Sequence, residues 1–224
     1  MHLESFKSQQ EADRRMALKQ LELDVDEQHL PSEINQWLAA GRARIEKYWD
    51  QFPQKPLPQY IECDFDYVAL ALQACMRHDL VDGHLFCEWG CGFGIVTGVA
   101  ALLGLDAVGI EAEEFLCSQA QILLEQNQVR AEIWQGNFLP RGSDELAEES
   151  DPLVSLTHKI PDAYSANDMP LSDFALTFVY PWPGEEHFLR AVFDRFARPG
   201  ALMLQFRGPY HVELFRKAAR SKSG

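Results

Sequence analysis

Phe86-Cys87-Glu88-Trp89-Gly90-Cys91-Gly92-Phe93-Gly94 is the stretch on which the fold of this chain turns. The apolar run from His84 to Cys87 predicts a buried strand, and it ends in an acid followed by three glycines at alternate positions. From Ile95 to Leu103 the pattern becomes helical, which puts the glycines in a strand-to-helix turn. Glycine there removes the Cβ that keeps a ligand away from the backbone and opens backbone angles that other residues avoid. In an open α/β sheet, the turn at the carboxyl end of the first strand is where nucleotide-like ligands bind. A mononucleotide-type pocket is therefore the first inference.

The spacing and the charge narrow the ligand. A dinucleotide fingerprint requires Gly-x-Gly-x-x-Gly. Counting from Gly90 and Gly92 the third position is Ile95, and from Gly92 and Gly94 it is Thr97; Gly98 gives a variant with one extra residue. A pyrophosphate binds bare N–H groups at a helix amino terminus, and a carboxylate at Glu88 repels it. A ligand with an ammonium group is attracted instead. S-adenosylmethionine is such a ligand: an amino acid bearing a sulfonium, joined to adenosine, with no phosphate.

Glu88-x-Gly90-x-Gly92-x-Gly94 resembles the first motif of class I S-adenosylmethionine-dependent methyltransferases, and further landmarks follow in order. Ala107-Val108-Gly109-Ile110-Glu111 resembles the second strand, whose terminal acid in that family holds the ribose hydroxyls. Gly136-Asn137-Phe138 matches the place after the third strand that faces the adenine amino group. Phe174 to Val179 reads as the fourth strand, ending in Tyr180-Pro181-Trp182-Pro183 where the family's fourth motif belongs, and Arg198 to Leu204 matches the turn into the fifth. The resemblance covers roughly Gly83 to Gly208. It implies a Rossmann-like α/β fold, with a mostly parallel sheet of about six strands, the last antiparallel, and helices on both faces. It also implies a cofactor site made by Glu88, Gly90, Cys91, Gly92, Phe93, Glu111, Ala112, Asn137, Phe138 and Tyr180, with Tyr180 and Trp182 on the reacting side.

Composition sets outer limits. The chain has 224 residues, 46% of them hydrophobic, enough for one well-cored α/β domain and an extension. The longest apolar stretch, around Gly94 to Leu105, is short for a membrane span and stops at Asp106. The polar amino terminus, Met1 to Arg15, lacks the apolar segment of a signal peptide. Cys63, Cys75, Cys87, Cys91 and Cys117 are odd in number, scattered and without a Cys-x-x-Cys pair, which favours reduced thiols in a cytoplasmic protein over disulfides or zinc. The net charge of −14 repels phosphate backbones. Nucleic acid is thus expected to be an unlikely acceptor, a small molecule or a protein side chain being favoured, with no membrane association.

Along the chain, residues 1–82 read as a helical extension and 83–224 as the cofactor-binding domain, with 141–170 as a surface excursion. Glu4 to Leu23 carries a thin apolar stripe (Met16, Leu18, Leu21). Ile34, Trp37, Leu38, Ile45, Tyr48, Trp49 and Phe52 mark a stronger amphipathic helix, ended by Pro53. Asp64 is placed to cap a helix running to about Asp79. The usual family fold finishes with a helix and a β-hairpin after the fifth strand, whereas here only Pro209 to Gly224 remains, room for one strand over His211 to Phe215 or a short helix.

Methyl transfer from a sulfonium is an in-line displacement that needs positioning and exclusion of water, worth roughly 7–11 kcal/mol. It requires neither metal nor covalent nucleophile, in keeping with dispersed histidines and no nucleophilic triad. Amine methyltransferases of this type carry Asn or Asp, Pro, Pro and an aromatic in the fourth motif. Tyr180 and Trp182 depart from that pattern: Tyr180 is suited to orient an amine or hydroxyl, Trp182 to offer a ring face to a cation. Two other readings stand beside this one, a catalytically silent cofactor-binding protein and, from the Gly92, Gly94, Gly98 spacing alone, an NAD(P)-dependent oxidoreductase.

Overall fold

The computed structural model describes residues 17–25, 29–51, 60–147 and 160–219. Among the described residues, seven strands form a single sheet: β1 (Leu18–Leu21), β2 (Leu85–Trp89), β3 (Asp106–Glu111), β4 (Glu132–Gln135), β5 (Leu176–Val179), β6 (Leu202–Gly208) and β7 (His211–Lys217). Their order across the sheet is β1-β7-β6-β5-β2-β3-β4. Strands β6, β5, β2, β3 and β4 pair in parallel, β7 runs antiparallel to β6, and β1 antiparallel to β7. The chain crosses from one half of the sheet to the other between β2 and β5, and such a switch point leaves a crevice at the carboxyl ends of those strands.

Among the described residues, six α-helices cover the sheet: α1 (Ser32–Gln51), α2 (Phe65–Arg77), α3 (Ile95–Leu102), α4 (Glu114–Gln126), α5 (Ala163–Asn167) and α6 (Glu186–Phe196). The pleat sorts alternate residues of β2 to opposite faces. Phe86 joins a core with Ile34, Trp37, Leu72, Val96 and Leu124 from α1 to α4. Cys87 and Trp89 join a second core with Tyr164, Phe188, Val192 and Phe193 from α5 and α6. Asp64 caps α2 as its spacing predicts, its Oδ1 accepting from Tyr67 N at 3.1 Å.

The amino-terminal segment departs from the helical extension read from the sequence. Residues 1–16 lie outside the described part, but Leu18–Leu21 is the edge strand of the sheet, in register with Leu214 to Lys217. Ala218 N donates to Ala17 O at 2.6 Å, and Ala17 N to Asp194 Oδ1 at 3.0 Å. The carboxyl-terminal segment supplies one strand, β7, as one of the two readings of His211 to Phe215 expects, and β1 takes the outer position beside it. The sheet thus has seven strands rather than about six. Helix α1 is also integral: a Cβ at Gly41 would lie 2.7 Å from Ile95 Cδ1, and one at Gly98 2.1 Å from Trp37 Cζ2, so the two backbones meet through reciprocal glycines.

The 141–170 segment is a surface excursion only in part. Its acidic stretch at 148–151 lies outside the described residues. Its end does not: Ala163 and Tyr164 of α5 are 0% and 4% exposed, and Tyr164 Oη accepts from Trp89 Nε1 at 2.7 Å. A parallel bridge between Asn137 and Asp162 ties the segment to the end of β4. His187, which reads from sequence as a surface or capping residue, is buried in the first turn of α6.

Candidate functional site

A cavity of about 500 Å³ opens at the carboxyl ends of β2, β3, β5 and β6, within the size range of small-molecule sites. One wall is the glycine turn. Gly90, Gly92 and Gly94 have φ of 71°, 54° and 72°, a region that side chains with a Cβ avoid. Gly90 N and Cys91 N both donate to Ile110 O, at 2.9 and 3.0 Å, which folds the turn back over β3. A Cβ at Gly90 would meet only the edge of Phe138, 4.0 Å away, so glycine keeps this backbone open to the cavity. Gly98 serves another purpose: it admits Trp37 to α3, and its spacing from Gly92 and Gly94 is a packing requirement, not a phosphate site.

Glu88 ends β2 within the cavity wall and is 5% exposed. Its Oε2 accepts from Thr97 N at 2.7 Å and Thr97 Oγ1 at 2.5 Å, so the strand-end acid also pins the first turn of α3. Burial pushes its carboxyl up to about 8, against the opposing pull of the Thr97 hydrogen bonds. The native chain therefore retains a proton that the unfolded chain releases near the ordinary value of 4.5. The stability this confers is complete below that value and is lost as pH rises through about 8. The melting temperature of the ligand-free protein is expected to fall between pH 5 and pH 9, and Glu88→Gln to flatten that fall by several degrees. Parallel melting curves for the two proteins over that range check this; equal slopes would rule out Glu88 as the source.

Glu111 ends β3 across the turn and is 8% exposed. Its Oε2 accepts from Gly92 N at 2.8 Å and its Oε1 from Glu113 N at 3.0 Å. Burial raises its carboxyl as well, with these backbone N–H groups opposing. A carboxylate has about four acceptor positions, so both oxygens retain lone pairs for a ligand diol. Ala112 and Phe138 line the same wall, and Phe138 stacks on Trp89 with ring centroids 5.4 Å apart. Asn137 follows β4, is 6% exposed, and its Oδ1 accepts from Leu139 N at 2.9 Å.

The opposite wall follows β5 and β6. Tyr180, Pro181, Trp182 and Pro183 line it together with Glu185, Glu186, Phe206 and Arg207. Tyr180 and Phe206 meet edge to face, with centroids 4.8 Å apart. Arg207 is held by Glu186 and lies 3.4 Å from Glu213 through Nε, and Glu186 Oε2 also accepts from Gly184 N at 2.8 Å. Tyr60, Ile61, Cys63 and Phe65 close the cavity from the segment leading into α2. The sequence reading assigned no site role to these four or to Phe206 and Arg207; the run Tyr60-Ile61-Glu62-Cys63 carries no periodic pattern that marks a wall.

The five cysteines are free thiols. Among the described residues, no group of three or more His, Cys, Asp or Glu is placed to hold a metal ion, and no helix is long and apolar enough to cross a membrane.

With this strand order, mostly parallel sheet and carboxyl-end crevice, the chain has a Rossmann-like α/β fold. No protein-family model matches it, and no curated protein does. Among solved structures, a methyltransferase from Geobacter sulfurreducens is 13% identical with a TM-score of 0.49, over 90% of this chain and 100% of that one. An RNA methyltransferase from Salinibacter ruber in complex with S-adenosyl-L-homocysteine is 15% identical with a TM-score of 0.46, over 76% and 98%. An O-methyltransferase from Bacillus cereus in complex with the same compound is 18% identical with a TM-score of 0.43, over 79% and 66%. The expectation against nucleic acid is corrected by the presence of RNA methyltransferases among these similar structures. Net charge sums the whole surface and does not describe the rim of one cavity.

Proposed function

We propose that this chain is an S-adenosylmethionine-dependent methyltransferase. The observation that carries the reading is one cavity with two unlike walls: a glycine turn flanked by Glu88 and Glu111, and an aromatic wall of Tyr180, Trp182 and Phe206. The bound cofactor supplies an electrophilic methyl group on a sulfonium. Glu111 suits the ribose hydroxyls, because its oxygens retain acceptor capacity beside the Gly92 and Glu113 N–H groups. Glu88 suits the ammonium end: a cation beside it favours the ionised carboxylate that burial disfavours. Gly90, Cys91, Gly92 and Phe93 give close backbone approach, while Ala112 and Phe138 flank the nucleoside. Tyr180 orients the acceptor and Trp182 covers it, excluding water from the line of transfer.

The experiment is transfer of a labelled methyl group from S-adenosylmethionine into fractionated small-molecule, protein and RNA pools from a cell extract. Label in one pool, lost in the Glu111→Ala variant, supports the reading. Binding without label in any pool favours the silent cofactor-binding protein. For the labelled acceptor, Tyr180→Phe is expected to lower turnover on the order of tenfold or more while leaving S-adenosyl-L-homocysteine affinity within about twofold. Calorimetry together with initial rates checks both; a loss in affinity equal to the loss in turnover would remove Tyr180 from the reacting side.

A further inference from the structure

Tyr60 lies directly on the glycine turn. A Cβ at Gly92 would come within 2.8 Å of its Cε2 and 3.1 Å of its Cδ2. Its ring stands edge-on to Phe93, with centroids 5.1 Å apart. Tyr60 lines the same cavity as Glu88 and Glu111, and its hydroxyl is buried with no hydrogen-bond partner among the described residues. Burial foremost, then the nearby Glu62, Cys63, Glu88 and Glu111, push the phenol well above its ordinary value, so it remains a neutral O–H donor.

A buried donor without an acceptor is unfavourable in a folded protein and calls for an explanation at that site. The neighbouring acids do not supply one: Glu88 accepts from Thr97, and Glu111 from Gly92 and Glu113. We propose that Tyr60 is a cofactor-binding residue whose hydroxyl donates a hydrogen bond to the carboxylate of the amino-acid end of S-adenosylmethionine. This rests on the cofactor reading given above. The ligand's carboxylate enters beside a turn where, among the described residues lining the cavity, the charged neighbours are the acids Glu88, Glu111 and Glu113. The cation of the far wall, Arg207, is already held by Glu186 and Glu213. A neutral O–H resting on the glycine backbone donates to a carboxylate where those acids repel it.

The test compares the wild-type protein with Tyr60→Phe, which keeps the ring on Gly92 and removes only the hydroxyl. Two probes are titrated calorimetrically: S-adenosyl-L-homocysteine, and 5′-methylthioadenosine, which lacks the amino-acid end. Tyr60→Phe is expected to weaken S-adenosyl-L-homocysteine by about tenfold or more, as for a hydrogen bond to a charged group. It is expected to leave 5′-methylthioadenosine within about twofold. The ligand-free variant should melt at or above the wild-type temperature, since an unpartnered hydroxyl has gone. Wild-type protein that fails to bind S-adenosyl-L-homocysteine overturns the cofactor reading beneath the proposal. Wild-type binding with no loss in Tyr60→Phe overturns the role of Tyr60 alone. Equal weakening of both probes overturns the assignment to the carboxylate. A lower melting temperature of the ligand-free variant, with both affinities unchanged, makes the hydroxyl structural and also overturns it.

Discussion

Glu111→Ala is expected to weaken S-adenosyl-L-homocysteine binding at least a hundredfold. On the proposed reading, two hydrogen bonds that the ribose diol donates to the carboxylate, each worth roughly 1.5–3 kcal/mol, disappear together. The substitution also releases Gly92 N and Glu113 N, which Glu111 holds at 2.8 and 3.0 Å, so the glycine turn loses the anchor that fixes its shape. Glu111→Gln is expected to recover little, because both carboxylate oxygens face N–H donors and an amide NH2 must oppose one of them. Calorimetric titration of the three proteins checks this. Affinity within about twofold of wild type in Glu111→Ala would remove the ribose role.

Gly98→Ala is expected to destabilise the fold strongly, although alanine favours helix by about 1 kcal/mol over glycine. The added methyl would sit 2.1 Å from Trp37 Cζ2 and 2.3 Å from Cε2. The indole has little room to yield: it is 2% exposed, and its Nε1 donates to Ile95 O at 2.8 Å. Overpacking of this kind costs about 1–3 kcal/mol or more beyond any propensity gain. A net loss near 2 kcal/mol lowers the melting temperature of a chain this size by roughly 4–8 °C. The loss should shrink in a Trp37→Phe background, where the smaller ring leaves space, and a double-mutant cycle of melting curves measures that coupling. An unchanged melting temperature in Gly98→Ala would contradict the close contact between α1 and α3.

These two residues also show what a sequence reveals. Glu111 was legible because an acid at the end of a buried apolar run is conspicuous, and its strand and partner turn lie in consecutive segments. Gly98 was legible only as a glycine. Its reason is Trp37, far away in the chain, so its spacing imitated a nucleotide motif. β1 was missed because four residues are too few for a period to emerge, and Leu18 and Leu21 pack on opposite faces of the sheet edge. α5 was missed for the same reason of length: Ala163 and Tyr164 are core residues inside a five-residue helix. Tyr60 shows no pattern in sequence, and its place on Gly92 exists only once α2 packs against the sheet.

On the proposed reading, the glycine turn holds S-adenosylmethionine and not a dinucleotide. The most direct measurement is a thermal-shift and calorimetric titration of the purified chain with S-adenosyl-L-homocysteine and, separately, with NADPH and NADH. The expected result is one-to-one binding of S-adenosyl-L-homocysteine with a rise in melting temperature, and neither effect with the nicotinamides. Stabilisation by a nicotinamide dinucleotide, with none by S-adenosyl-L-homocysteine, would contradict the account.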